Sequence, residues 1–326
     1  MKKLFLLFVL SILVFAGCAP TSSTPKLKFA NAGWDSIMFH NAVMGTIIET
    51  VFGFEWEEMT GSTPITYEAL MSGEIDIYSE IWTDNLASYE QDVASGRFEL
   101  LGMNFDDNRQ GLYVPRYVIE GDAERGIEPI APNLRYVSDL PQYWELFKDE
   151  EDPSKGRLYG GIPGWAVDSI LRNKFTHLGL DATFNYFSPG SDAALSAALS
   201  SAYTRGEAIV GYYWEPTWLM GLYDFVLLED EPFNEERFMD GVGEFKSSDV
   251  TIGVRRGFSA EFPEVAAFLS RYRTSSTLTS EALSYIEQTG STYVETAKWF
   301  ILNNQELVAS WLSADQFETL MNALNS

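Results

Sequence analysis

The stretch RLYGGIPGWAVDSILRNKFTHLGLDATFNYF (residues 157–187) decides the fold class. RLYGGI (157–162) reads as a strand that runs straight into Pro163-Gly164-Trp165 and then a helix to about Leu178. TFNYF (183–187) is a second strand. Strand, turn, helix and strand in succession is the unit of an α/β protein. The theme continues downstream through a helix over Ser191–Arg205 and strands at EAIVGYYW (207–214), FVLLED (225–230) and DVTIGVRR (249–256). From Phe262 onward the pattern is almost all helical. Upstream, LKFAN (27–31), EWEEMT (55–60), EIDIYSEIW (74–82) and RFELLGM (97–103) read as strands. The helices between them cover 35–51, 64–73, started by Pro64 and stopped by Gly73, and 83–96. YVPRYV (113–118) is a further expected strand, SDLPQYWELFKD (138–149) carries an expected capped helix, and DEEDPSKG (149–156) reads as a surface loop. No internal repeat is visible.

The chain has 326 residues, which suits two units of ordinary domain size. No Pro/Gly-rich linker separates them, and the break over 104–112 is short, so the expectation is two lobes joined by crossover strands. With 46% hydrophobic and 14% aromatic residues the chain has ample core material, which excludes global disorder. The formal net charge of −25 repels phosphate backbones, so nucleic acid is an unsuitable partner. A single cysteine allows no internal disulfide or thiolate cluster, and His40 and His177 match no zinc spacing. No metal and no cofactor is expected.

The one cysteine sits at the end of MKKLFLLFVLSILVFAGC (1–18). Lys2 and Lys3 precede an apolar run from Leu4 to Ala16, too short to span a bilayer and suited to a signal-peptide core. Phe15-Ala16-Gly17-Cys18 resembles the bacterial lipoprotein cleavage box, with Phe15 where that pattern prefers Leu. The resemblance implies cleavage before Cys18 and lipid attachment to its thiol; ordinary secretion is the simpler alternative. Residues 19–26 then read as a flexible tether. The expected place of work is outside the cytoplasmic membrane.

Trp34, Trp82, Trp165 and Trp214 each follow an expected strand and precede an expected helix. In open α/β sheets ligands bind beyond the carboxyl ends of the strands, so these four indoles are expected to point at a cleft, structural packing being the alternative. Trp56, Trp144, Trp299 and Trp311 fit ordinary packing, and Trp218 fits either role. Indole faces attract cations, and a cluster of them suits a quaternary ammonium group, which spreads its charge and offers no hydrogen bonds. Sugars also stack on indoles and are the rival ligand. At the helix start after Trp165, the amides of Ala166 and Val167 are candidates to receive a carboxylate, the alternative being an ordinary helix start without a ligand. A cation site beside an anion site describes a betaine-type zwitterion. Asp35 and Glu215 flank two of the tryptophans and are candidate counter-charges for a cation without its own carboxylate, such as choline. Their structural alternatives are an N-cap for Asp35 and a helix-dipole partner for Glu215.

GWDS (33–36), EIWTDN (80–85), IPGWAVDS (162–169) and GYYWEPTW (211–218) together resemble the periplasmic glycine betaine/choline-binding proteins of ABC importers. The likeness runs from Leu27 to the helical tail, with four Trp motifs in the family's order. It implies a two-lobed periplasmic-binding-protein fold, each lobe a mixed sheet flanked by helices, with the ligand cleft between them. The implied lobes are residues 27–110 with 240–326, and residues 111–239. Trp82, Trp165 and Trp214 match the family's aromatic cage, while Trp34 and the Trp214-Glu215-Pro216 motif match its choline-binding branch. Leu86 stands where one betaine-binding branch has a His. The implied function is capture of a quaternary ammonium compound and delivery to an ABC permease and its ATPase without chemistry; the Ala166 and Val167 amides, rather than the resemblance, favour the betaine over choline. The alternatives from other classes are a secreted glycoside hydrolase with Trp platforms and an adhesive lipoprotein.

Overall fold

The computed structural model describes residues 26–325. Apolar strand segments pair into two five-stranded sheets, and the strand order is the same in both. In the first, β1 (Lys26–Asn31), β2 (Glu55–Thr60) and β3 (Ile77–Trp82) are parallel, connected by α1 (Asp35–Ile47) and α2 (Thr63–Ser72). After α3 (Tyr89–Ala94) comes β4 (Phe98–Phe105) at the edge, and β10 (Val250–Arg255) lies antiparallel between β3 and β4. In the second, β6 (Gly156–Tyr159), β7 (Phe184–Phe187) and β8 (Gly211–Trp214) are parallel, connected by α5 (Ala166–His177) and α6 (Asp192–Arg205). There β5 (Gln110–Pro115) lies antiparallel between β8 and β9 (Phe225–Leu227). Order β2-β1-β3-β10-β4 thus answers β7-β6-β8-β5-β9, an equivalence carried by backbone pattern with no visible repeat in the sequence.

The first sheet packs one face against α1 and the C-terminal helices α9 (Pro263–Leu269), α10 (Ser276–Thr289), α11 (Tyr293–Asn303), α12 (Gln305–Trp311) and α13 (Ala314–Leu324). Phe29, Phe39, Phe268, Phe300 and Trp311 are fully buried there. Three local expectations are corrected. Residues 138–149 form two short 3-10 turns, Val137–Gln142 and Trp144–Phe147, because Pro141 lacks the N–H an α-helix needs and disfavours helical backbone before it. The strand expected over 113–118 ends at Pro115, and α4 (Arg116–Glu120) follows. The helix expected over 83–96 keeps only α3 and a 3-10 turn, Thr83–Asn85. Its first turn is drawn away by bonds from Thr83 Oγ1 to the Asp249 carbonyl and from Ser248 Oγ to Asp84. Strand β3 is buried on both faces as a central strand, where simple alternation suggested one.

The lobes touch across the cleft. The Thr63 amide donates to the Gly164 carbonyl at 3.2 Å, and Trp165 Nε1 donates to the Ala32 carbonyl at 3.2 Å. The chain passes between the sheets twice, between β4 and β5 and again before β10, and the two passages are bonded to each other. Asn108 Nδ2 donates to the Ser248 carbonyl at 2.6 Å and accepts from the Ser248 amide at 3.0 Å, both residues buried. A second contact pairs like charges: Asp192, the first residue of α6, faces Asp35, the first of α1. Burial, then the charge of Asp35, pushes the Asp192 carboxyl well above its usual range.

Two outcomes follow from this packing. A Cβ on Gly45 in α1 would stand 2.4 Å from the Trp56 ring, so Gly45→Ala is expected to lose about 1–3 kcal/mol in urea denaturation despite its helix propensity. No loss means the helix can retreat. Because Asp192 is held protonated more strongly in the folded protein, its contribution is present at acid pH and fades as pH rises through its raised value. Asp192→Asn should therefore flatten the fall of Tm toward alkaline pH; an unchanged Tm profile counts against the pair.

Candidate functional site

The four tryptophans come from equivalent places in the two sheets. Trp34 and Trp165 are the residues before α1 and α5, each following the first of its sheet's three parallel strands. Trp82 and Trp214 are the last residues of β3 and β8, the third of those strands. Neither Trp34 nor Trp165 makes a side-chain bond to its helix, whereas Ser191 and Ser275 cap α6 and α10 conventionally. Placing Trp at an N-cap forgoes about 1 kcal/mol of capping at each helix and leaves the first amides unpartnered by a side chain.

All four indoles line one cavity enclosing about 460 Å³ of atom-free space, open part included, between the lobes. Trp34 meets Trp165 edge to face with centroids 5.5 Å apart, and Trp165 meets Trp214 at 5.1 Å and 82°. Trp82 stands on the other wall, edge to face with Phe105 at 5.8 Å. Ala166 and Val167, expected as an anion site, line the same cavity at the start of α5. Leu86 lines it too.

Asp35 and Glu215 do not line this cavity. The side chain of Asp35 accepts from Tyr293 Oη at 2.7 Å, and Trp34, not Asp35, is the N-cap. Glu215 lines a separate surface groove with Asp107 and Glu281; Thr217 rather than Glu215 caps the short helix α7 (Trp218–Leu222). Burial raises the Glu215 carboxyl, with Arg109 opposing. The other tryptophans pack: Trp56 on Phe29 at 5.8 Å, Trp299 stacked on Tyr285 at 4.3 Å, Trp311 buried against Tyr272, Trp144 half-buried on the second lobe's core, Trp218 against Tyr223.

Sequence reasoning missed Glu80, Tyr78 and Tyr212, which line the cavity. Glu80 is fully buried; its Oε1 accepts from Ser36 Oγ at 2.8 Å and from Trp82 Nε1 at 3.1 Å. Burial pushes its carboxyl up to about 8, and the bonds from Ser36 and Trp82, with the unbonded N–H of Trp34 close by, hold back a larger rise. Tyr212 Oη donates to Gln110 Oε1 at 3.0 Å and its ring stacks on Trp214. The signal for all three was strand period: Tyr78, Glu80 and Trp82 share one face of β3, and Tyr212 shares a face of β8 with Trp214. The cavity thus offers aromatic faces, uncapped amides and one carboxyl group.

Comparison with known proteins agrees with this geometry. Residues 25–303 match the family described as the substrate binding domain of ABC-type glycine betaine transport systems. The glycine betaine, L-proline ABC transporter binding protein ProX of Borrelia burgdorferi superposes with a TM-score of 0.71 at 21% identity, over 90% of this chain and 99% of that one. An ABC-transporter choline binding protein in complex with choline gives 0.71 at 22% identity, over 92% and 98%. Lactococcal OpuAC, closed on glycine betaine, gives 0.69 at 21% identity, over 88% and 99%. These likenesses show the fold. An uncharacterized protein ORF1 of Chromohalobacter salexigens is 28% identical over 148 residues, 45% of this chain and 86% of its own. The family match covers most of the chain, which therefore belongs to the substrate-binding domain family of ABC-type glycine betaine transport systems.

Proposed function

We propose that this protein captures a quaternary ammonium compound, glycine betaine or choline, between Trp34, Trp82, Trp165 and Trp214 and hands it to an ABC permease driven by its ATPase. The observation that carries the reading is the convergence of four indoles from both lobes on one cavity that no cationic side chain lines. Desolvated indole faces contribute about 0.5–2 kcal/mol each toward a bound cation. The amides of Ala166 and Val167, left free by a Trp N-cap, suit the carboxylate of a betaine. The lobes would be residues 27–110 with 240–326, and 111–239, closing on the ligand by rotation about the paired crossings. Function is binding and release; Glu80 is the one acid lining the cavity, where two-carboxylate glycoside hydrolysis needs a pair.

Family membership makes the protein an extracytoplasmic solute receptor. The proposed tie to the membrane is a lipid on Cys18, reached through the tether at 19–26. Both segments lie outside the described residues. Among the described residues no helix is long and apolar enough to cross a membrane.

Calorimetric titration with glycine betaine and with choline tests the cage. Changing Trp82, Trp165 or Trp214 to Ala should weaken binding by about 1–2 kcal/mol each, and changing them to Phe much less. Unchanged affinity in all three Ala variants would end the cage reading. Labelled palmitate should enter the wild-type protein expressed in a bacterium and be absent from Cys18→Ser, which should appear in the soluble fraction. Equal labelling of both disproves the anchor.

A further inference from the structure

Glu80 has what a buried carboxyl group rarely has, an oxygen with nothing to do. The residue is fully buried, Oε1 carries both hydrogen bonds described above, and Oε2 has no hydrogen-bond partner among the described residues, the neighbouring Trp34 Nε1 being unpartnered as well. Buried charges are paired or they neutralise. Among the described residues no Lys, Arg or His lines the cavity, and no cation offsets the burial of this carboxyl. A bound cation in the cavity that Glu80 lines would supply that counter-charge.

We propose that Glu80 determines which quaternary ammonium compound the cage accepts, by setting the charge the closed cavity must balance. Ionised, it holds a monocation without a carboxylate, of the choline type; protonated, it admits a net-neutral zwitterion of the betaine type. The proposal rests on the cage reading given above. The physical ground is the charge total. In a cavity walled by aromatic rings, a monocation with ionised Glu80 sums to zero, and so does a zwitterion with protonated Glu80. The crossed combinations leave one uncompensated charge out of water.

Other titratable groups around Glu80 keep one charge state over the neutral range. On its own strand, Tyr78 is raised by burial and bonded to Thr66 Oγ1. From the segment between α9 and α10, buried Tyr272 is raised further and bonds His40 Nδ1. His40, on α1, is lowered to about 3 by burial and stays neutral. Ser36, Trp34 and Trp82 carry no charge, and the neighbouring positions on β10 are Val250 and Thr251. The carboxyl of Glu80, raised to about 8, is the group at the cavity that changes charge between neutral and alkaline pH. Asp192 also titrates with a raised value, but it acts on lobe contact and so weighs on every ligand alike.

The sign follows by linkage. A bound monocation favours ionised Glu80, so below about pH 8 its binding expels a proton and its affinity climbs with pH. A zwitterion favours protonated Glu80, so its affinity is level below that value and falls above it. The test is calorimetric titration of the full-length protein with choline chloride and with glycine betaine at about pH 6.5 and about pH 9, in buffers of different ionisation heat. The ratio of the two dissociation constants should move toward choline by roughly tenfold or more, with net proton release on choline binding at the lower pH. Glu80→Gln should hold the ratio constant within about threefold across the range. Binding of both ligands at a constant ratio without proton exchange overturns the role of Glu80 and leaves the cage standing. Binding of neither at any pH overturns both readings. Proton release is read on the unmodified protein, so the answer does not depend on how the variant folds.

Discussion

The contact between Trp34 and Trp165 is the one on which the rest of this structure depends. Each indole sits where a helix ordinarily begins with a short hydrogen-bonding side chain, and each gives up that cap to reach across a gap between lobes. The 5.5 Å edge-to-face pair, prolonged by Trp214, joins the apolar interior of the second lobe to one side of the first, so that a single buried cluster runs through the cleft. An aromatic pair of this kind is worth about 0.5–1.5 kcal/mol beyond the area it buries. That is small enough to be undone by domain motion and large enough to define a closed form. Everything at the cavity, including the approach of Ala32 to Trp165 and of Thr63 to Gly164, follows from that meeting.

Much of this was legible in the sequence because both levels of pattern agreed. The strand–turn–helix reading of 157–187 placed Trp165 at the helix start that the structure shows, and the four strand-end tryptophans do converge on one cavity. Two things hid. Local pattern could not see that Thr83, Asp84 and Ser248 would compete for the first turn of a helix, or that Pro141 would reduce another to 3-10 turns. The acids adjacent to tryptophans in sequence, Asp35 and Glu215, are also the wrong ones for the cavity. In a strand the neighbour on the same face is two residues away, which is where Glu80 stands relative to Trp82. On α1, Ser36 rather than Asp35 reaches the site, and Asp35 turns to Tyr293.

The shared strand order explains why the cavity has two pairs of tryptophan walls. Trp34 answers Trp165, and Trp82 answers Trp214, each pair at the same station of a β-α-β-α-β unit. The symmetry breaks one step deeper, where Glu80 in β3 faces the place that Tyr212 takes in β8. One lobe contributes the only carboxyl group lining the cavity and the other contributes helix amides and stacked rings, so the two halves of the site differ in electrical character while matching in shape.

The bond pair between Asn108 and Ser248 has a mechanical consequence. Two chain crossings that were free of each other would let the lobes twist, shear and spread independently. Fastened side by side by reciprocal bonds, with both residues buried, they form a short two-ply strap that holds the two crossings together when it bends. Opening then carries both crossings together, like the leaf of a book on its spine. A membrane partner that senses the spacing of the two lobes reads whether the receptor is loaded from that one coordinate.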